Sequence, residues 1–355
     1  MNKEKKINII LPFTIMTGGI KVILEYAKKF KEDGYDVVCY VPMVYYKFNY
    51  KGIIGLLKRI KASIYNTFIR GSKVEWSDFD IKIKLVPVIS DRYIRNADII
   101  IATAWPTAVS INRLNHMKGK KVYFIQGYEV WCGPEEQVKE TYRYPMKQVV
   151  ISKELKRIMN QQFESKNVDV IYNGINLEEF YFDYKDESEI VISTLYHPNK
   201  MKGYDEAIKV IEGIKELMPQ VKIKVFGTTR PSIIPDYIEF YHNPSREVLR
   251  KIYSDSDIFI FCSRNEGWGL TPLEAMACNT VVLGNNDGCI KELGVDNFNC
   301  IISDSSRPDE MVNKAIDILN NKSRMNYIKQ NALKLASEMN WSASIRKFEE
   351  ILNKL

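Results

Sequence analysis

The chain has no cysteine pair at C-x2-C spacing. Its six cysteines, at 39, 132, 262, 278, 289 and 300, stand singly. That pattern excludes a zinc-ribbon site and a disulfide frame, and it reads as reduced core thiols in a cytosolic protein. No run of eighteen apolar residues occurs, so no transmembrane helix is expected. The opening, MNKEKKINIILPFTIM, sets positive charge before an apolar run as a signal peptide does. Its apolar part is short, contains Pro12 and lacks a small-x-small cleavage site, so residues 7–13 read as a first strand. A G-x-G-x-x-G string is missing, which speaks against a dinucleotide-dependent oxidoreductase. There is no internal repeat at a fixed period and no low-complexity tract. Histidine is scarce: His116, His197 and His242 are all there are. The net charge of +7 is a modest excess, suited to acidic small molecules or anionic lipid, and no nucleic-acid motif accompanies it.

What is present is the composition of a globular protein, 45% hydrophobic and 27% charged over 355 residues, long enough for two domains. Short apolar runs alternate with helical stretches. Strands are expected at 7–14, 36–42, 82–89, 98–103, 121–126 and 148–152, and helices at 18–31, 107–117 and 135–142. The pattern repeats with strands at 190–195, 221–226 and 238–241 and helices at 204–218, 246–254, 309–320 and 324–338. This is the βα alternation of a parallel sheet, hence an α/β fold. A last amphipathic helix, 341–355, carries Ile345, Phe348 and Leu352 at helical spacing. The domain boundary falls near 173–184, and the charged, turn-like stretch 185–189 reads as a linker. The expected domains are 1–175, 185–338 and a closing helix, 339–355.

The most informative stretch runs from Asp257 to Asn286: a buried strand, a glycine loop, a helix and a second buried strand. Thr271 suits the N-cap, Pro272 the first helical position, and Glu274 sits three residues after the cap. Gly267 and Gly269 let a ligand approach the backbone closely, and the helix entrance favours an anion such as phosphate. Glu266 and Glu274 bracket the loop with seven residues between them. The arrangement suits a phosphorylated, hydroxyl-rich ligand. Two plainer readings stand beside it: Thr271–Glu274 as a capping box only, and Glu266 as a polar loop residue only.

The string Glu266-Gly-Trp-Gly-Leu-Thr-Pro-Leu-Glu274-Ala-Met-Ala closely resembles the E-x7-E signature of retaining nucleotide-sugar glycosyltransferases of the family-4-like group, glycosyl transferases group 1. The resemblance is strong from about Glu189 to Leu355 and weaker before. It implies the GT-B fold, two Rossmann-like domains facing a cleft, with the closing helix crossing back to the first domain. It implies that Glu266 lies beside the donor sugar and Glu274 binds the nucleotide ribose. Amides of Gly267, Trp268, Gly269, Leu270 and Thr271 would meet donor sugar and phosphate. Lys202, before Gly203 in the loop that starts at His197, matches the family's phosphate-binding lysine and would neutralise the leaving diphosphate. The arginine expected five or six positions earlier is absent; Tyr196 and His197 stand there, and Lys200 is either a substitute or a surface residue. Thr17-Gly18-Gly19 takes the place of the family's glycine-rich loop facing the phosphates, or is a plain turn.

On the first half, ligands of open α/β sheets bind at strand carboxyl ends. That draws attention to Trp105, Gln126 and Glu129 as acceptor-side residues. The family's usual histidine is missing there, since His116 falls on an expected helix. The string Phe-Ile-Gln-Gly-Tyr-Glu resembles a subgroup that includes bacterial rhamnosyltransferases. Asp255-Ser-Asp257 has the form of a D-x-D metal motif, although helix-end residues look the same. The resemblance implies retaining transfer of a sugar from a nucleoside-diphosphate sugar to a glycan or lipid-linked acceptor, in cell-surface polysaccharide synthesis, with no metal and no cofactor. The alternative is a donor-binding but catalytically silent subunit of a larger glycosyltransferase complex. The expected location is cytoplasmic, or peripheral on the inner face of the membrane. From Ile53 to Arg70, a stripe of Ile53, Leu57, Ile60, Ile64 and Phe68 is accompanied by Lys58, Arg59, Lys61 and Arg70. This basic amphipathic helix either lies on an anionic membrane surface or packs its stripe on the first domain.

Overall fold

In a computed structural model, residues 5–13, 17–43, 46, 80–264 and 266–355 are described. The stretch from Ile53 to Arg70 lies outside them. The chain divides into two compact units, residues 1–172 with 345–355, and residues 173–344. Among the described residues no helix is long and apolar enough to cross a membrane.

The first unit is built on a seven-stranded sheet in the order β3-β2-β1-β4-β5-β6-β7. Its strands are β1 (Lys6–Ile10), β2 (Asp36–Pro42), β3 (Lys82–Val86), β4 (Ile99–Ala102), β5 (Lys120–Ile125), β6 (Lys147–Val150) and β7 (Val168–Val170). All the pairings are parallel. Helices α1 (Gly18–Glu32), α2 (Trp105–Asn112), α3 (Glu135–Thr141) and α4 (Lys153–Phe163) connect them. The second unit carries a six-stranded parallel sheet, β10-β9-β8-β11-β12-β13. Its strands are β8 (Val191–Leu195), β9 (Lys222–Gly227), β10 (Ile238–His242), β11 (Ile258–Phe261), β12 (Val281–Gly284) and β13 (Ile301–Ile302). Its helices are α5 (Tyr204–Leu217), α6 (Arg246–Asp255), α7 (Leu270–Ala277), α8 (Gly288–Leu293), α9 (Pro308–Asn320) and α10 (Lys322–Glu338), followed by α11 (Trp341–Asn353).

β4, β11 and β12 are buried along their whole length. A parallel sheet covered by helices on both faces requires such continuous apolar runs. The strand order reverses beside the first strand of each sheet, between β1 and β4 and between β8 and β11. There the connecting loops diverge to opposite faces and leave a crevice at the strand carboxyl ends.

Three local expectations change. The helix expected at 107–117 ends at Asn112, and a 3-10 turn, His116–Lys118, follows; the Asn115 side chain caps that turn by accepting from Met117 N at 3.0 Å. Residues 185–189 are not a solvated linker throughout. Lys185 is buried, its Nζ 2.5 Å from Asp257 Oδ2, and Asp257 also accepts from Val191 N at 3.0 Å. Asp255 is held by Lys224 at 2.6 Å and Lys251 at 2.7 Å. Both acids of the D-x-D string are therefore taken up by lysines. A short helix, α8, and a short strand, β13, follow β12.

Residues 345–355, most of α11, belong to the first unit. Phe348, 1% exposed, meets the rings of Tyr26, Phe30 and Phe124 with centroids 5.2, 5.4 and 5.4 Å away. Such a ring contributes both transfer energy and edge-to-face packing. Phe348→Ala is expected to destabilise the first unit by about 3–5 kcal/mol. Chemical denaturation measures this, and a loss well under 1 kcal/mol would mean that α11 is not docked as described.

Candidate active site

In the second unit the crevice beside β8 is lined by two loops. The loop after β8 runs from Tyr196 to Gly203 and closes with a 3-10 turn, Lys200–Lys202. His197 Nδ1 accepts from Asn199 N, and the Asn199 side chain accepts from Met201 N, both at 3.0 Å. Gly203 has φ +70°, and a Cβ there would overlap Cys262 O. Only glycine lets this turn lie against the end of β11. Arg264 N donates to Met201 O at 2.8 Å and ties the loops together.

The result is a cross-loop ion pair, Lys202 Nζ 2.5 Å from Glu266 Oε1, with side chains 29% and 14% exposed. Burial first, then the Lys202 charge, holds the His197 imidazole below its ordinary range. His197 is thus a neutral acceptor at pH 7. Lys200 is exposed.

Glu266 is seated from below by residues the sequence did not single out for chemistry. Its amide donates to Asp287 Oδ1 at 2.8 Å. Gly288 has φ +55°, and a Cβ there would overlap Trp268 O and come within 2.9 Å of Glu266 Cβ. Cys289 N donates to Trp268 O. The Trp268 ring is buried. An Asp-Gly pair after a buried strand is a turn signal, but its partners lie some twenty residues away.

The helix after the loop starts earlier than expected. α7 begins at Leu270 with Gly269, φ +75°, in the N-cap position. Thr271 and Pro272 are second and third in the helix, so the Thr271–Glu274 capping box does not form. Proline is still accommodated, because the first-turn amides have no partner within the helix. Glu274 instead points inward, 6% exposed, and its Oε2 accepts from Tyr253 Oη at 3.1 Å while Arg246 Nη1 lies 3.9 Å from Oε1. The plain capping reading of Glu274 is thereby removed.

In the first unit the crevice lies beside β1. Gly18 and Gly19 form the first turn of α1 rather than a loop before it, with Thr17 as N-cap accepting from Ile20 N at 3.3 Å. A Cβ at Gly18 would meet nothing, whereas Gly19 faces the Gln126 side chain, whose Nε2 donates to Gly19 O at 3.1 Å. Trp105 N, at the start of α2, donates to Glu129 Oε2 at 2.8 Å, and Glu129 N donates to Tyr142 Oη at 2.9 Å. The three residues expected on the acceptor side therefore fall into two contacts at the carboxyl ends of β4 and β5. His116 precedes β5 and so lies at the amino end of that strand, away from these contacts.

Residues 179–335 match the family model of glycosyl transferases group 1. That match falls within the second unit. Lys202, Glu266, Glu274 and Asp287 all lie within the matched residues. An uncharacterized glycosyltransferase of Methanocaldococcus jannaschii is 20% identical over 214 residues, 58% of this chain and 59% of that protein. The O-antigen chain mannosyltransferase RfbU of Salmonella typhimurium is 28% identical over 131 residues, 34% of this chain and 36% of that protein. The chain spans less than two thirds of the length of the curated relatives it matches first. Among solved structures, the sucrose-phosphate synthase of Thermosynechococcus elongatus superposes with a TM-score of 0.74 at 13% identity, over 99% of both chains. Anabaena HepE in complex with UDP-glucose superposes with a TM-score of 0.74 at 14% identity, over 99% of this chain and 100% of that one. The two parallel sheets with interleaved helices are those of the GT-B glycosyltransferase fold.

Glu129 generates a prediction of its own. Burial pushes its carboxyl up from 4.5 to about 7, outweighing the Trp105 amide and the Tyr123 hydroxyl, which favour the charged form. The folded state thus holds this proton more tightly than the unfolded chain does. The stability this contributes is present below about 4.5 and is lost as pH rises through about 7. Between these pH values wild type is expected to lose Tm relative to Glu129→Gln, as followed by melts in a pH series. Parallel curves would show a carboxyl that is solvated rather than held.

Proposed function

We propose that the chain is a glycosyltransferase that moves a sugar from a nucleoside-diphosphate sugar to a glycan or lipid-linked acceptor, keeping the donor's anomeric configuration. The observation that carries this reading is the Lys202–Glu266 pair at a strand-order reversal inside the residues that match the group 1 model, with the Glu274 carboxylate on the next helix. The same fold in HepE accompanies UDP-glucose, which supports a nucleoside-diphosphate donor here.

In this reading the donor diphosphate lies against the loop amides and the start of α7, where partial positive charge gathers. Lys202 exchanges its Glu266 partner for the leaving diphosphate, so charge building there in the transition state is met by a fixed cation. Glu266, released from Lys202, faces the sugar and stabilises the positive charge that develops at the anomeric carbon. Lys202 and the helix entrance together offset the diphosphate charge, so the reading calls for no metal and no cofactor. Gly18 and Gly19 are assigned to the phosphates from the first unit, and Trp105, Gln126 and Glu129 to the acceptor. The acceptor chemistry fits cell-surface polysaccharide synthesis on the cytoplasmic side.

One assay tests the centre of the reading. The purified chain is given UDP-glucose and other nucleotide sugars, and transfer or donor hydrolysis is followed. Lys202→Ala is expected to lower turnover by about ten- to a thousandfold, and Lys200→Ala to have a mild effect. Proton NMR of the fresh product is expected to show the donor's anomeric configuration; an inverted anomer rejects the retaining mechanism. Donor binding with neither transfer nor hydrolysis favours the silent-subunit reading, for which the Tyr196-His197 pair in place of an arginine is the motive. A lipid-linked acceptor also gives the stretch from Ile53 to Arg70 a role on anionic membrane. Flotation with liposomes is expected to need anionic lipid and to fail after charge reversal at Lys58, Arg59 and Lys61; binding indifferent to both rejects that role.

A further inference from the structure

Glu274 is a carboxylate on the inward side of α7, and no helix cap requires it there. A buried carboxylate persists only where hydrogen bonds or charges replace its water. Two groups from α6 do this. Tyr253 Oη donates to Oε2 at 3.1 Å, while Arg246 Nη1 stands 3.9 Å from Oε1, beyond hydrogen-bond reach.

Tyr253 has no room to turn away. Phe226 and Phe259 meet its ring edge-on with centroids at 5.5 Å, and Phe180 does so at 6.1 Å. Burial, then the Glu274 charge, lifts the phenol far above its ordinary range, so it remains a donor. The two carboxylate oxygens are therefore unequal. Oε2 is tied to a caged phenol, and Oε1 is balanced by a guanidinium at a distance, with its lone pairs left to accept from a ligand.

This step rests on the reading that Glu274 meets the donor ribose. We propose that Tyr253 is the positioning residue for that contact: it fixes the Glu274 carboxylate so that its remaining lone pairs accept from both ribose hydroxyls. The site would then select ribonucleoside over 2′-deoxyribonucleoside diphosphates. Without the phenol, the carboxylate turns about its last torsion and the second hydroxyl loses its partner. A carboxylate held in one rotamer by a packed outer partner is the general requirement for a precise site.

The test is isothermal titration of the full chain with UDP, GDP and ADP and with their 2′-deoxy counterparts, for wild type, Tyr253→Phe and Glu274→Gln. Wild type is expected to prefer the ribo form of its nucleotide by about tenfold or more, the scale of one hydrogen bond to a charged group. Glu274→Gln should lose that preference. Tyr253→Phe keeps the ring in its cage, so its melting temperature should stay close to wild type while the preference drops severalfold. If Tyr253→Phe keeps the wild-type ratio while Glu274→Gln has lost it, the positioning role is overturned and the ribose reading stands. The same holds if Tyr253→Phe weakens both forms equally and melts lower, since the phenol is then structural only. A wild-type ratio in Glu274→Gln overturns the ribose reading and the positioning role together, as does a wild type that binds none of the six nucleotides.

Discussion

The ion pair between Lys202 and Glu266 joins loops 64 residues apart, and its geometry depends on two places where no side chain is tolerated. Gly203 brings the lysine loop onto the end of β11. Gly288 brings the start of α8 onto the backbone of Glu266 and Trp268. A methyl group at either position drives the corresponding loop outward. The pair is only partly buried, so its attraction is screened and modest. That modesty suits the proposed exchange, in which a diphosphate replaces the glutamate as the lysine's partner. A deeply buried pair would resist the exchange, because separating its charges leaves one of them unpaired and dry.

The strand-order reversal explains why the pair forms at that place. β8 and β11 are neighbours whose connections leave on opposite faces, so the loops after them flank an open crevice. The first unit repeats the rule with β1 and β4, and there the crevice is bounded by the first turn of α1, the start of α2 and the loop after β5. In the first unit the amide of Trp105, at the start of α2, turns toward the Glu129 carboxylate; in the second the amide of Cys289, in α8, turns toward Trp268 O. The fold supplies such positions by topology, and the side chains decide what each can bind.

Much of this was legible in the chain itself, for identifiable reasons. Buried parallel strands leave continuous apolar runs, so β11 and β12 read correctly, as did the helices that cover them. Gly267, Glu266 and Glu274 could be placed on a loop and helix between those strands because the punctuation is local. The helix start was misplaced because Thr271, Pro272 and Glu274 form a locally consistent cap, while the positive φ at Gly269 is a tertiary choice that spacing does not reveal. The end of α2 at Asn112 depends on the Asn115 cap beyond it. Lys185 looked like a linker residue because its partner, Asp257, is 72 positions away in number and adjacent only once β11 stands beside β8. Asp287 and Gly288 were visible as a turn but not as the seat of Glu266, for the same reason. Local rules reported elements; contacts made across the sheet had to be seen.

Glu129 and Glu274 show how the fold assigns different work to the same side chain. Each carboxylate is withdrawn from water and receives a hydrogen bond from a neighbouring residue. For Glu129 the groups that favour the charged form are an amide and a hydroxyl, no cation is among the influences that set its charge, and burial pushes it up to about 7. For Glu274 the donor is a caged phenol, and a guanidinium stands within 4 Å of the other oxygen. On the proposed ribose reading, Glu274 must keep lone pairs free and its charge compensated, and Arg246, 3.9 Å from Oε1, compensates without taking up a hydrogen-bonding site. A group whose charge changes near neutral pH can instead alternate between accepting and donating. Burial at the carboxyl ends of β4 and β5 therefore favours a protonated Glu129, whereas the second unit sets the Glu274 carboxylate beside a guanidinium.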